Sequence, residues 1–127
     1  ALVRAATETF AAPRFNIDIL KVEIPVSLAH VGTTMTEAEA KAAFLDAAEP
    51  AGNIPLLYLS AGVTFEQFRD GLRLSRAAGV NARGFMCGRG IWSDAIGIFG
   101  TDGPAAMERW MQTTGRDRLA HLKDAIT

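Results

Sequence analysis

Three short apolar runs mark the chain at residues 17–24, 54–60 and 83–90, and a stretch with helical spacing follows each. Strands alternating with helices imply parallel pairing through crossover connections, and so an α/β fold. The first run, within "NIDILKVEIPV", is rich in Ile, Leu and Val and closes at Pro25, which suits a strand. These strands are apolar on both faces, so cover is expected on both: helices on one side, a second layer or a barrel interior on the other. Three strands standing alone leave two apolar edges open. A closed (β/α)8 barrel needs eight strands and roughly 200 residues or more, and the chain has 127 residues. The expectation is one domain over residues 1–127 that forms part of a larger barrel, or completes its sheet with another copy or another chain.

The helices carry their own start and stop signals. Thr36 with Glu39, and Thr64 with Gln67, have the spacing of capping boxes ahead of "EAEAKAAFLDAA" and "FEQFRDGLRLSRAA". Gly52 and Gly79 supply stops. "LVRAATETFA" reads as a helix ending before Pro13, and "IWSDAIGIF", "PAAMERWMQTT" and "DRLAHLKDAI" read as three helical stretches of the tail.

Composition excludes several classes. The chain is 49% hydrophobic and 21% charged, hence globular rather than disordered. A net charge of −1 with mixed signs gives no footprint for nucleic acid or an anionic membrane. Cys87 is the only cysteine, so no internal disulfide forms, and neither it nor His30 or His121 has metal-ligand spacing. Without a membrane-length apolar stretch or a signal-peptide pattern, a soluble cytoplasmic protein is expected.

Lys21 stands out inside an apolar strand. An ammonium buried without a partner is costly, so such a lysine is excluded, paired, or held neutral for chemistry. Alternation sets Ile17, Ile19, Lys21 and Glu23 on one face and Leu20, Val22 and Ile24 on the other. In a barrel the first set points inward, with Lys21 and Glu23 toward the C-terminal strand ends where active sites lie. Strand two ends in Ser60, Ala61 and Gly62, and strand three ends near Gly88 and Arg89. Glycines let backbone N–H groups approach an anion, Arg89 can grip phosphate through paired hydrogen bonds, and Ser60 adds a hydroxyl. A lysine facing a phosphate-anchored ketose suits Schiff-base chemistry, because desolvation favours the neutral amine that attack requires. Glu23, roughly 7 Å further along the strand, ranks lower, as a proton shuttle or a ligand for substrate hydroxyls.

Plainer readings stand beside these. Lys21 can be a structural lysine paired to Glu23 or to a segment absent from this chain, Gly62 and Gly88 can serve tight turns, and Arg89 can be a surface charge. Cys87 reads as a small core residue, and Phe65, Phe68, Trp92 and Trp110 as helix core anchors. Lys41 beside Glu37, Lys123 and His30 read as solvated.

Four segments, "IDILKVEIPV", "IPLLYLSAGVTFEQF", "FMCGRGIW" and "MERWMQTTGRDRL", resemble in order and spacing the carboxyl-terminal half of the tagatose 1,6-bisphosphate aldolase family. The resemblance implies a (β/α)8 barrel of which this chain holds about strands six to eight. It implies a class I aldolase needing no metal or other cofactor, with Lys21 as the Schiff-base lysine. Ser60, Ala61, Gly62, Gly88 and Arg89 would then bind a substrate phosphate. The implied substrate is a ketose bisphosphate such as tagatose 1,6-bisphosphate, cleaved to dihydroxyacetone phosphate and glyceraldehyde 3-phosphate; related enzymes accept a sulfosugar phosphate. The family's first five strands, with its acidic general acid/base, have no counterpart here. The alternative is therefore an inactive half-barrel or assembly module that keeps phosphate affinity, and either reading expects a homo-oligomer or pairing with an amino-terminal half.

Overall fold

The computed structural model describes residues 2–127. Three parallel strands, β1 (Leu20–Glu23), β2 (Leu56–Leu59) and β3 (Gly84–Met86), form one sheet in chain order. The register sets Lys21, Leu57 and Gly84 in one row across the sheet, and Glu23, Leu59 and Met86 in another. Pleating then divides the sheet into two faces. Val22, Tyr58 and Phe85 point to the helices, while Lys21, Glu23, Leu59 and Met86 look out of the other side.

Helices α1 (Leu2–Ala11), α2 (Glu37–Ala48) and α3 (Phe65–Ala77) precede or connect the strands. Both expected capping boxes form. Thr36 N–H donates to Glu39 Oε2 at 2.7 Å, and Glu39 N–H returns a bond to Thr36 Oγ1 at 3.2 Å. The Thr64–Gln67 pair repeats this with both bonds at 3.2 Å. At the far end of α3, Gly79 takes φ +85° and donates to the Arg76 carbonyl, while Val80 donates to that of Ser75. These bonds wrap the last turn in the left-handed closure that glycine permits.

The core lies between helices and sheet. Phe44, Phe68, Leu72 and Leu122 are fully buried against Tyr58, whose ring meets Phe44 edge-on at 5.8 Å. The Tyr58 hydroxyl accepts a bond from Ser75 at 3.2 Å, so neither buried hydroxyl is stranded. A smaller cluster of Leu20, Ala51 and Leu56 closes the opposite end of the strands.

Two expectations need correction. Each strand is shorter than its apolar run: β1 has four residues rather than 17–24, β2 four rather than 54–60, and β3 three rather than 83–90. Pro55 has no N–H to donate, so the ladder with β2 opens only where Leu20 N–H reaches the Pro55 carbonyl at 2.9 Å. Ile17 instead packs against the smaller cluster, and Ile19 is 54% exposed. In the tail, α4 (Arg89–Trp92) is a single turn leading into α5 (Asp94–Asp102). The expected break after "MQTT" is absent: α6 (Pro104–Trp110) runs through a π-helical turn, Met111–Gly115, into α7 (Arg116–Ile126). Gly115 does not stop the helix. It is buried, and a β-carbon there would lie 3.3 Å from Met111 Sδ and 3.5 Å from the Trp110 ring.

No helix of the described residues is long and apolar enough to cross a membrane. The strand edges at β1 and β3 carry no further strand among the described residues.

Candidate functional site

The C-terminal ends of the strands converge on a shallow hollow of about 380 Å³. Lys21 reaches it from β1, Ser60 and Ala61 from the turn after β2, and Gly88 and Arg89 from the turn after β3. Five of the residues singled out in the sequence thus meet in one place, because parallel strands bring all their C-terminal ends, and the turns that follow them, to one end of the sheet.

The turn after β2 is unusual. Val63 N–H donates to the Ser60 carbonyl at 3.0 Å, and the two residues between them both take positive φ, +48° at Ala61 and +83° at Gly62. That is a type I′ geometry, in which Gly62 is at ease and Ala61 is strained. Its effect is to turn Ser60, which is buried, toward the hollow while Gly62 stands away from it.

The turn after β3 lies tight against Ser60. Gly90 is buried, and a β-carbon on it would fall 2.8 Å from Cys87 Sγ and 3.5 Å from Ser60 Cβ. Ser60 and Cys87 thus both pack against the backbone of Gly90. Burial pushes that thiol up from its ordinary pKa against the opposing bonds from Ser60, Gly90 and Ile91. Cys87 is therefore a protonated packing residue and offers no rival nucleophile.

Lys21 and Arg89 are both exposed, and among the described residues neither makes an ion pair. The reading of Lys21 as a lysine paired to Glu23 is thereby removed. The dry interior expected around Lys21 is not formed by this chain either: Lys21 stays exposed, although Val3, Ala6 and Phe10 of α1 border an apolar hollow of about 330 Å³ beside Lys21, Glu23 and Leu59. Glu23 falls outside the hollow; it borders a neighbouring one of about 210 Å³ that shares Ser60 and Ala61. Lys41 pairs with Glu37 at 2.6 Å, and Lys123 and His30 are exposed, as read from the sequence.

Sequence reasoning missed two contributors. Trp92, taken as a core anchor, lines the hollow, and its Nε1 lies 3.3 Å from where a Gly88 β-carbon would be. The signal was available in its spacing, three residues after Arg89 on one helical turn. Met86, 54% exposed, lines it as well through its parity with Lys21.

A parallel sheet with helices on one face and functional side chains at its C-terminal strand ends is the construction of α/β barrel enzymes. The chain belongs to the DeoC/LacD family of aldolases, whose family model matches residues 1–94. It is similar to the tagatose 1,6-diphosphate aldolase of Streptococcus pneumoniae strain R6, 39% identical over 129 residues covering 98% of this chain and 40% of the relative. The tagatose 1,6-diphosphate aldolase of Staphylococcus aureus strain Newman is likewise 39% identical over 130 residues, with the same coverage. The chain thus spans about two fifths of the length of the curated relatives it matches.

Proposed function

We propose that this chain is the carboxyl-terminal half of a metal-independent class I aldolase, contributing strands six to eight of a (β/α)8 barrel, with Lys21 as its Schiff-base residue. The observation that carries this reading is the shared hollow: Lys21 opens into the same space as Ser60, Ala61, Gly88 and Arg89. Family membership and the names of the relatives support the aldolase class and a ketose bisphosphate such as tagatose 1,6-bisphosphate.

The chemistry follows from the amine. The Lys21 Nζ lone pair attacks the C2 carbonyl, and the carbinolamine loses water to leave an iminium. The C3–C4 bond breaks, its electron pair flows into the iminium to give an enamine, and the C4 hydroxyl surrenders its proton to a base. Glyceraldehyde 3-phosphate departs. The enamine takes a proton at C3, and water hydrolyses the resulting iminium to free Lys21 and dihydroxyacetone phosphate. The phosphate next to C2 is held by the Arg89 guanidinium, the Ser60 hydroxyl and the backbone of the turns at Ala61 and Gly88; Gly62, expected to share in this, only shapes its turn. Glu23 binds substrate hydroxyls from the neighbouring hollow, and the base belongs to the part of the relatives beyond this chain.

Dihydroxyacetone phosphate with borohydride tests this: peptide mass spectrometry should find a reduced adduct on Lys21. A folded protein that gives none contradicts the reading.

The coverage of two fifths favours a second reading, a module that keeps phosphate affinity without turnover. Steady-state cleavage by the purified chain separates the two. The open strand edges call for a second copy or another chain beside them, so a monodisperse, stable monomer in sedimentation would count against either version. A sulfosugar phosphate as substrate is distinguished by comparing adduct yields.

A further inference from the structure

Arg118, on the first turn of α7, has partners at its edge and on its faces. Its Nη1 donates to the Ile91 carbonyl at 2.9 Å, and its Nη2 pairs with the Asp94 carboxylate. The guanidinium lies 4.9 Å from the Phe65 ring centre and 5.1 Å from that of Trp110. Its side chain is only 15% exposed. Three of these partners, Phe65, Ile91 and Asp94, follow the two turns of the hollow. Phe65 opens α3 directly after the turn from Ser60, and Ile91 and Asp94 follow Arg89 by two and five residues. Arg118 does not line the hollow, so it acts there only through these neighbours.

We propose that Arg118 is a positioning residue for the phosphate site, fixing the turn that bears Arg89 against the turn that bears Ser60. This rests on the phosphate-site reading above. An arginine suits the role because its planar fork serves a carbonyl and a carboxylate together while its faces stack on rings, whereas a lysine ammonium has neither a planar fork nor a face to stack.

The test titrates the whole chain with inorganic phosphate, well below its melting temperature, and follows the Arg89 Nε–H resonance. Arg118→Met keeps an apolar stem between the rings and should weaken phosphate binding about tenfold, since misplacement of this kind is costly. Arg118→Lys should recover part of that loss. A purely structural role lowers the melting temperature without changing the affinity of the folded molecules, so wild-type affinity in folded Arg118→Met overturns the proposal. If Arg118→Met does not fold, Asp94→Asn, at an exposed carboxylate, should still weaken binding about threefold, and unchanged affinity there overturns it as well. A wild-type chain with no saturable shift brings down the phosphate site itself, and the positioning role with it.

Discussion

Replacing Gly90 by alanine probes the closest approach in the site. The backbone there is right-handed and within α4, so it accepts alanine, and the added β-carbon is the whole perturbation. It would meet Cys87 Sγ at 2.8 Å. Ordinary contact lies near 3.5–4.0 Å, so the thiol or the turn must move by about 0.8 Å. Cys87 is short and half-buried, with little room to swing, and overpacking of this kind costs about 1–3 kcal/mol. Alanine returns up to ~1 kcal/mol of helix propensity. The net loss is then about 1 kcal/mol, a fall of roughly 3–5 °C in melting temperature. Since Arg89 adjoins Gly90, phosphate affinity should fall about tenfold, short of the ~10²-fold that a full 1 Å misplacement can cost. Calorimetric titration with phosphate and a thermal melt read both effects. Cys87→Ala removes the obstructing sulfur, so the double variant should recover the affinity, with a favourable coupling of ~1 kcal/mol between the two sites. Wild-type behaviour of Gly90→Ala, or strict additivity in the double variant, would refute the reasoning.

Two further outcomes are expected. Ala61→Gly should be neutral or stabilising by up to ~1 kcal/mol, against the usual sign, because relief of the +48° φ offsets the entropy of glycine; a clear loss in a thermal melt would show that Ala61 is unstrained. The Glu39 carboxyl is held below its ordinary pKa by the backbone N–H and then the hydroxyl of Thr36. Its contribution to α2 is therefore present above the unfolded value of about 4.3 and lost as pH falls through the lower folded value. The Thr36 amide resonance should report this titration, and Glu39→Gln should abolish it; a pH-independent amide in the wild type is the contrary result.

The parts of the fold that depend on neighbours in sequence were legible before the structure. Thr36 with Glu39 and Thr64 with Gln67 announced two helices, and the alternation from Leu20 to Glu23 assigned Lys21 and Val22 to opposite faces. Strand ends then predicted that Lys21, Ser60 and Arg89 would meet. What escaped depended on distant partners. Pro55, not the apolar run, decides where β1 begins. Gly115 is spent on close packing with Trp110 and Met111 rather than on ending a helix, which periodicity does not distinguish. Arg118 read as one charge among many on a polar helix, and only its contacts with Ile91, Asp94, Phe65 and Trp110 set it apart.

The central claim is that a keto sugar phosphate lies across the strand ends, with its carbonyl on Lys21 and its phosphate against the two turns. A crystal structure of the protein reduced with borohydride in the presence of dihydroxyacetone phosphate tests it most directly. Continuous density from Lys21 Nζ to a glycerol phosphate whose phosphate group touches Ser60 and Arg89 is the predicted result. Density on Lys41 or Lys123 instead, or a phosphate turned away from both turns, would contradict the account.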